Sequence, residues 1–169
     1  MDQTGENSIV IVGGANVAYQ SLTELPESYK VGIDACDYLM LQKEIPMAIN
    51  ILAAKYARSK GKFVMLDCGG SDEEISDELM KNLTFISPNT TELLRIDPTI
   101  DSDKENVVES IRQKLITKYP GITFILKMGS KGSKVITDKL NIYTNVVTKL
   151  NPAVLNDYKI VDTVGAGMI

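Results

Sequence analysis

The chain has 169 residues, 44% hydrophobic and 24% charged, which is the composition of an ordinary globular domain. Its 22 acidic and 18 basic residues give a formal charge of -4, which provides no overall basic field for a nucleic acid. The apolar runs are far shorter than the ~20 residues of a membrane span, and the polar, acidic start is unlike a signal peptide, so a cytoplasmic protein is expected.

In chain order, short β-branched runs alternate with longer amphipathic segments, which predicts parallel strands joined by crossover helices. The predicted strands are Ser8–Val12, Tyr38–Gln42, Phe63–Leu66, Thr84–Ser87 and Ile122–Leu126. The predicted helices are Leu22–Cys36, a segment from Pro46 to a cap at Gly61, Glu74–Lys81, Thr90–Ile96 and Asp103–Tyr119. Two more strands, Ser133–Thr137 and Asn141–Val147, are predicted to form a hairpin at a sheet edge.

The run Tyr38–Gln42 is almost entirely apolar, which predicts a strand buried on both faces. No repeat or shift in composition divides the chain, so residues 1–169 are predicted to form one α/β domain. In an open parallel sheet, ligands bind outside the carboxyl ends of the strands. The candidate site therefore consists of the loops Gln42–Glu44, Ser87–Asn89 with Glu92, Lys127–Gly132 and Asp162–Gly167.

Asn89 and Glu92 stand three residues apart at the start of a predicted helix, which places an amide and a carboxylate on one face. Such a pair can form half of an outer-sphere Mg²⁺ site, because this ion prefers oxygen ligands and retains several waters. The same pair can equally be a helix cap with a reciprocal capping box. Cys36 and Cys68 lie in unlike contexts, so we expect two buried free thiols, with a disulfide as the alternative. The sequence has no histidine, and no zinc site is expected.

The glycines of two other loops allow close backbone approach to an anion. Gly129–Gly132 follows a predicted strand, and it is either a phosphate-binding loop or a tight turn with an exposed lysine. Gly165–Gly167 follows an apolar run and has the form that presents free N–H groups to an anion at a helix start. Glu44, at a strand end, can accept hydrogen bonds from sugar hydroxyls, and it can equally pair with Lys43 or interact with a helix dipole.

Taken in order, six segments resemble successive signatures of the ribokinase-like sugar kinases: GENSIVIVGGAN, LMLQKEIP, VMLDCGGSDEEIS, ISPNTTELL, LKMGSKG and VDTVGAG. The resemblance runs from about Gly5 to Gly167, and its most specific parts are Pro88–Glu92 and Asp162–Gly167. It implies a three-layer α/β fold, with helices on both faces of a mostly parallel sheet, present here in incomplete form. About the middle half of the family's fold is expected in this chain. The exposed edges of an incomplete sheet are expected to favour pairing with another chain, such as a second copy.

The resemblance implies an ATP-dependent kinase that transfers the γ-phosphate of ATP to a sugar hydroxyl, with D-ribose as the expected sugar. It assigns the sugar contact to Glu44 and the organisation of Mg²⁺ and phosphates to Asn89 and Glu92. The nucleotide site that it implies consists of Gly129, Ser130 and Gly132, with Lys131 nearby. Lys127 stands where the family often has threonine, and it either contacts phosphate or points away.

The last loop carries the remaining implied roles. The anion hole for the transferred phosphoryl group is assigned to Gly165, Ala166 and Gly167. Asp162 and Thr163 resemble the family's monovalent-cation loop, which makes K⁺ a candidate activator. The family's general-base aspartate is replaced by Met168, whose thioether cannot accept a proton at neutral pH. Because this base is absent and, by the resemblance, both ends of the family's fold are missing, we expect the chain to be inactive by itself. The alternatives are a non-catalytic nucleotide-binding module and a related kinase for another sugar or a nucleoside.

Overall fold

The computed structural model describes residues 12–17, 19, 21–102, 106–138 and 148–150. Its helices are α1 (Glu27–Asp34), α2 (Met47–Ser59), α3 (Asp77–Met80), α4 (Thr90–Ile96) and α5 (Val107–Ile111). Its strands are β1 (Tyr38–Lys43), β2 (Phe63–Gly70), β3 (Phe85–Ser87), β4 (Thr123–Lys127), β5 (Ser133–Ile136) and β6 (Thr148–Leu150). The helix α5 continues into a π-helical turn at Arg112–Ile116, and short 3₁₀ turns cover Gly14–Val17 and Gly129–Lys131.

The six strands form one sheet in the order β1-β2-β3-β4-β5-β6. The strands β1 to β4 are parallel neighbours, whereas β5 pairs antiparallel with both β4 and β6. Each parallel connection passes through a helical segment, as crossover connections require. The predicted α/β class with a mostly parallel sheet is therefore confirmed.

Local sequence explains where several helices begin and end. Pro26 precedes α1 and Pro46 precedes α2, and both have the extended ψ that turns the chain into a helix. After α2, Gly61 adopts a left-handed φ of 72°, which confirms the predicted cap. The helix α1 is shorter than the predicted Leu22–Cys36 because it starts only after Pro26.

The face of the sheet that holds Leu41, Val64, Leu66, Ile86 and Phe124 is buried. These side chains form one core cluster with residues of the described α-helices, including Ile33, Ala54, Ala57, Leu79, Met80, Leu93, Ile111 and Leu115. We call this side of the sheet the covered face. Burial of this apolar surface, at about 25 cal/mol per Å², is the main force that stabilises the described part of the chain.

The opposite side, which we call the open face, carries aromatic and aliphatic side chains in contact with solvent. Tyr38 is 64% exposed, Met40 73% and Phe63 44%. The rings of Tyr38 and Phe63 stack with centroids 5.0 Å apart, and the centroid of Phe85 lies 6.3 Å from that of Phe63. The prediction that Tyr38–Gln42 is buried on both faces is therefore wrong, because Tyr38 and Met40 are exposed on this face.

Two other predicted strands lie wholly or mostly outside the described residues. The hairpin partner of β5 is confirmed as an antiparallel strand, but it is described at Thr148–Leu150, while the predicted Asn141–Val147 lies outside the described residues. The predicted first strand also lies outside them, apart from Val12. No described helix combines the length and hydropathy that are needed to cross a bilayer.

Gly70, the last residue of β2, lies against the backbone of Lys43 at the end of β1, and a substitution there tests this close approach. Its φ is +104°, and a Cβ there would lie 2.9 Å from the carbonyl carbon of Lys43 and 3.0 Å from its oxygen. We expect Gly70→Ala to lower the free energy of unfolding by about 1–3 kcal/mol, because strain and a backbone clash act together.

The matched control is Gly32→Ala in α1, where a Cβ would meet nothing within 4 Å. This substitution is expected to raise the free energy of unfolding by about 0.5–1 kcal/mol through helix propensity. Urea unfolding followed by circular dichroism measures both variants. Equal stabilities for the two alanine variants would contradict the close approach at Gly70.

Candidate functional site

The carboxyl ends of β1 to β4 bring the predicted loops to one edge of the sheet. The Ser71 amide donates to the Lys43 carbonyl at 3.1 Å, which joins the segments that follow β1 and β2. The Lys127 amide donates to the Pro88 carbonyl at 2.8 Å, and Asn89 forms a parallel bridge with Lys127. The ends of four strands therefore form a continuous rim, as the position of the predicted loops requires.

Asn89 and Glu92 form a complete capping box at the start of α4. The Asn89 side-chain oxygen accepts from the Glu92 amide at 2.8 Å, and Glu92 Oε2 accepts from the Asn89 amide at 2.7 Å. The Asn89 side-chain amide also donates to Glu92 Oε1 at 2.9 Å. The Glu92 side chain is only 14% exposed, so the cap fixes a largely buried carboxylate at the rim.

Lys127, at the end of β4, points toward the carboxylates of Asp67 and Glu92. Its Nζ lies 3.0 Å from Asp67 Oδ2 and 3.2 Å from Asp67 Oδ1, and it lies 3.9 Å from Glu92 Oε2. Lys127 therefore does not point away from the candidate site. Asp67 was not among the site residues predicted from the sequence. The available signal was a charged residue directly after the apolar run of the predicted strand, one residue beyond its predicted boundary at Leu66.

A cavity of about 250 Å³ opens beside Glu92 on the covered side of the rim, and Lys43 and Cys68 contribute to its wall. Lys43 is only 6% exposed, and its ammonium has no hydrogen bond or ion pair within the described part of the chain. Buried lysines are rare unless they are paired, so the Lys43 ammonium is a candidate partner for an anionic group. The rest of the wall is mainly acidic: it includes Asp72, Glu73, Glu74 and Glu92, and Arg95 already forms an ion pair with Asp72.

The Cys68 thiol shows the electrostatic character of this region. Burial raises its pKa to about 12, and the negative charges of Glu92 and Asp67 add to the shift. The positive charges of Lys127 and Lys43 lower the pKa of the thiol and offset a part of the shift. The thiol is therefore neutral at physiological pH, and the free state predicted for both cysteines is confirmed.

Glu44 follows β1 at the same rim, but it is exposed and is not part of the wall of the cavity beside Glu92. Its backbone amide donates to the side-chain oxygen of Gln42. Gly70 lies close enough that a Cβ there would be 3.1 Å from Glu44 Cγ. The position of Glu44 is open to a ligand above the sheet edge, and its predicted sugar contact stays a prediction.

The loop after β4 is a tight 3₁₀ turn at Gly129–Lys131. The Met128 amide donates to the Gly132 carbonyl at 2.9 Å, and the Gly132 amide donates to the Gly129 carbonyl at 3.0 Å. Gly129 and Gly132 have φ values of +55° and +80°, which favour glycine. The predicted tight turn is thus present, and Lys131 is exposed. Phosphate binding by this loop stays a prediction.

The remaining predicted site residues are outside the described part of the chain: Asp162, Thr163, Gly165, Ala166, Gly167 and Met168. Their implied roles stay predictions. Among the described residues, no group of three or more His, Cys, Asp or Glu side chains is arranged to hold a metal ion. Asn89 and Glu92 can therefore supply only part of a magnesium coordination shell, with waters and phosphate as the other ligands.

Comparison with known proteins shows which family the chain resembles. The family model for pfkB family carbohydrate kinases matches residues 1–167. The chain is 32% identical over 169 residues to a ribokinase of Arabidopsis thaliana, which covers 99% of this chain. The structure of Arabidopsis thaliana ribokinase complexed with ribose and ATP aligns with a TM-score of 0.77 at 32% identity over 95% of this chain. A ribokinase structure from Thermotoga maritima, with a TM-score of 0.67, 22% identity and 92% coverage of this chain, supports the fold alone.

The chain therefore belongs to the pfkB family of carbohydrate kinases. The family resemblance based on the six sequence segments is confirmed. The chain covers 41% of the curated Arabidopsis thaliana ribokinase, 48% of the chain in its solved structure and 47% of the Thermotoga maritima chain. It thus spans less than half the length of these relatives, which agrees with a fold that is present in incomplete form.

The contrast between the two cysteines provides a test of the packing at the rim. We expect iodoacetamide at pH 8 to label Cys36 at least about tenfold faster than Cys68, because the thiolate is the reactive form and burial suppresses it at Cys68. Cys68 is 4% exposed, whereas Cys36 is only partly buried. Peptide mass spectrometry over time measures both rates, and labelling in urea serves as the control in which the rates converge. Faster labelling of Cys68 in the folded chain would contradict the buried position.

Proposed function

We propose that this chain provides phosphate-binding and magnesium-binding elements of an ATP-dependent sugar kinase. The observation that carries this proposal is the convergence of Asn89, Glu92 and Lys127 at the carboxyl rim of the sheet, in a chain of the pfkB carbohydrate kinase family. Phosphoryl transfer requires positioned positive charge and metal-bound oxygens around the phosphates. Carboxylate and amide oxygens beside a lysine ammonium meet both requirements.

The described residues fit a magnesium–nucleotide complex. The capping box holds the Glu92 carboxylate, which is a hard oxygen ligand, at a fixed position. The ammonium of Lys43, which has no partner among the described residues, lies in the wall of the adjacent cavity and is a candidate contact for a phosphate oxygen. Bound Mg²⁺ would neutralise charge on the phosphates, while Asn89 and Glu92 would orient its waters. Lys127 would donate to a phosphate oxygen as a point charge.

The other predicted roles belong to the same proposal. Gly129, Ser130 and Gly132, with Lys131 nearby, line the nucleotide site. The anion hole is formed by Gly165, Ala166 and Gly167. Asp162 and Thr163 bind a monovalent cation, for which K⁺ is the candidate. Glu44 accepts hydrogen bonds from the sugar, and D-ribose is the proposed sugar because an Arabidopsis thaliana relative at 32% identity is a ribokinase complexed with ribose and ATP.

A second candidate function is nucleotide binding without catalysis. Met168 is the observation that favours it, because a thioether cannot accept the proton of an attacking hydroxyl. A kinase for another sugar or for a nucleoside is a third candidate, since Glu44 is the one residue to which we assign a sugar contact.

Nucleotide binding is tested by titration calorimetry of the full chain with ATP and excess Mg²⁺. We expect saturable binding, and we expect Lys127→Met to weaken it about tenfold, because a charge-assisted hydrogen bond to phosphate contributes about 1.5–3 kcal/mol. The control is Lys55→Met, which removes an exposed lysine from an ion pair between α2 and α3. Equal losses in the two variants would contradict a direct role for Lys127.

Turnover is tested by a coupled assay of ADP release with D-ribose. We expect no ribose-dependent ADP release above background from the chain alone, because the position of the general base is occupied by Met168. Binding without release would favour the non-catalytic candidate. Robust release with D-ribose would show that another group accepts the proton, and release with a nucleoside instead would favour the third candidate.

A further inference from the structure

Asp67 is placed to control the charge of Lys127. Asp67 lies within β2 and Lys127 is the last residue of β4, with β3 between the two strands. Both carboxylate oxygens of Asp67 lie within 3.2 Å of Lys127 Nζ, and Oδ1 also accepts from the Gly69 amide at 2.8 Å. The Lys127 side chain is 28% exposed and that of Asp67 43%, so a ligand can approach the pair from solvent.

Two positive and two negative side chains at this part of the rim act on the Cys68 thiol. Lys43 and Lys127 are positive, and Asp67 and Glu92 are negative. A phosphate that contacts Lys127 meets an ammonium already engaged by an internal carboxylate. It also meets the repulsion of that carboxylate at short range.

We propose that Asp67 is a specificity-determining residue, which makes the site select the magnesium complex of a nucleotide over the free nucleotide. This inference rests on the proposed nucleotide-binding function. Without ligand, the Lys127 ammonium donates its hydrogen bonds to the Asp67 carboxylate, and a phosphate oxygen has to compete for them. When a nucleotide binds, Lys127 remains between the two anions and the residual repulsion depends on the charge of the ligand.

The selectivity follows from the proportionality between Coulomb energy and ligand charge. Free ATP carries a charge of about −4 at neutral pH and its magnesium complex about −2, so a fixed carboxylate repels the free form about twice as strongly. Salt weakens this effect but leaves its sign unchanged. Removal of the Asp67 charge must therefore improve binding of free ATP more than binding of the magnesium complex.

The test is Asp67→Asn in the full chain, which removes the charge and retains an oxygen that can accept the Gly69 N–H. Calorimetry gives the dissociation constant for ATP in EDTA and for ATP with excess Mg²⁺. We expect the constant for the magnesium complex to fall about twofold and that for free ATP about fourfold, because twice the energy squares the fold-change, so that their ratio falls. The control is Asp37→Asn, which makes the same charge change just before β1, at the opposite end of the strand from the rim.

The outcomes separate this inference from the function on which it rests. An unchanged ratio in Asp67→Asn, with normal magnesium-ATP binding by the unsubstituted chain, would overturn the role of Asp67 and leave the proposed function intact. Failure of the unsubstituted chain to bind magnesium-ATP would overturn both. A purely structural role for Asp67 would weaken both forms of ATP equally. If Asp67→Asn does not fold, Asp67→Ser provides the same test, because its hydroxyl can also accept the Gly69 N–H.

Discussion

The parallel alignment of β1 to β4 is the constraint on which the candidate site depends. Parallel neighbours point their carboxyl ends to the same edge, so residues far apart in sequence meet without any long loop to connect them. The ion pair between Asp67 and Lys127 spans 60 positions in the chain, yet the two residues are separated by a single strand. Register between the strands, rather than loop conformation, therefore sets the geometry of this pair.

That register is itself fixed by the covered face. Val64, Leu66, Ile86 and Phe124 are buried among helical side chains, and a shift of one residue in any strand would turn its apolar side chains to the open face. The same shift would move Lys127 to the other side of the sheet from Asp67. Successive side chains of β4 alternate between the two faces of the sheet: those on the covered face stabilise the core, and those on the opposite face include Lys127. Core packing and site geometry therefore depend on the same alternation.

The sequence predicted best those features that are determined by nearby residues. The helix Thr90–Ile96 has the predicted bounds because its capping box lies within the first turn. The burial of Tyr38–Gln42 was predicted wrongly because burial depends on which elements pack against each face, and an apolar run does not contain that information. Asp67 was missed for a related reason. Its partner is distant in sequence, and a single carboxylate after a strand is common in loops without function.

The structure also changes how Asn89 and Glu92 are to be understood. A helix cap and a metal-binding role compete as explanations of the sequence, but they are compatible in three dimensions. In the cap, each oxygen of the Glu92 carboxylate accepts one hydrogen bond from Asn89, and each oxygen has a further lone pair for another partner. By restricting the rotamer of Glu92, the cap lowers the entropy cost of holding that carboxylate beside Lys127 and a bound ligand. The features that stabilise the start of α4 are therefore the features that would prepare it to bind.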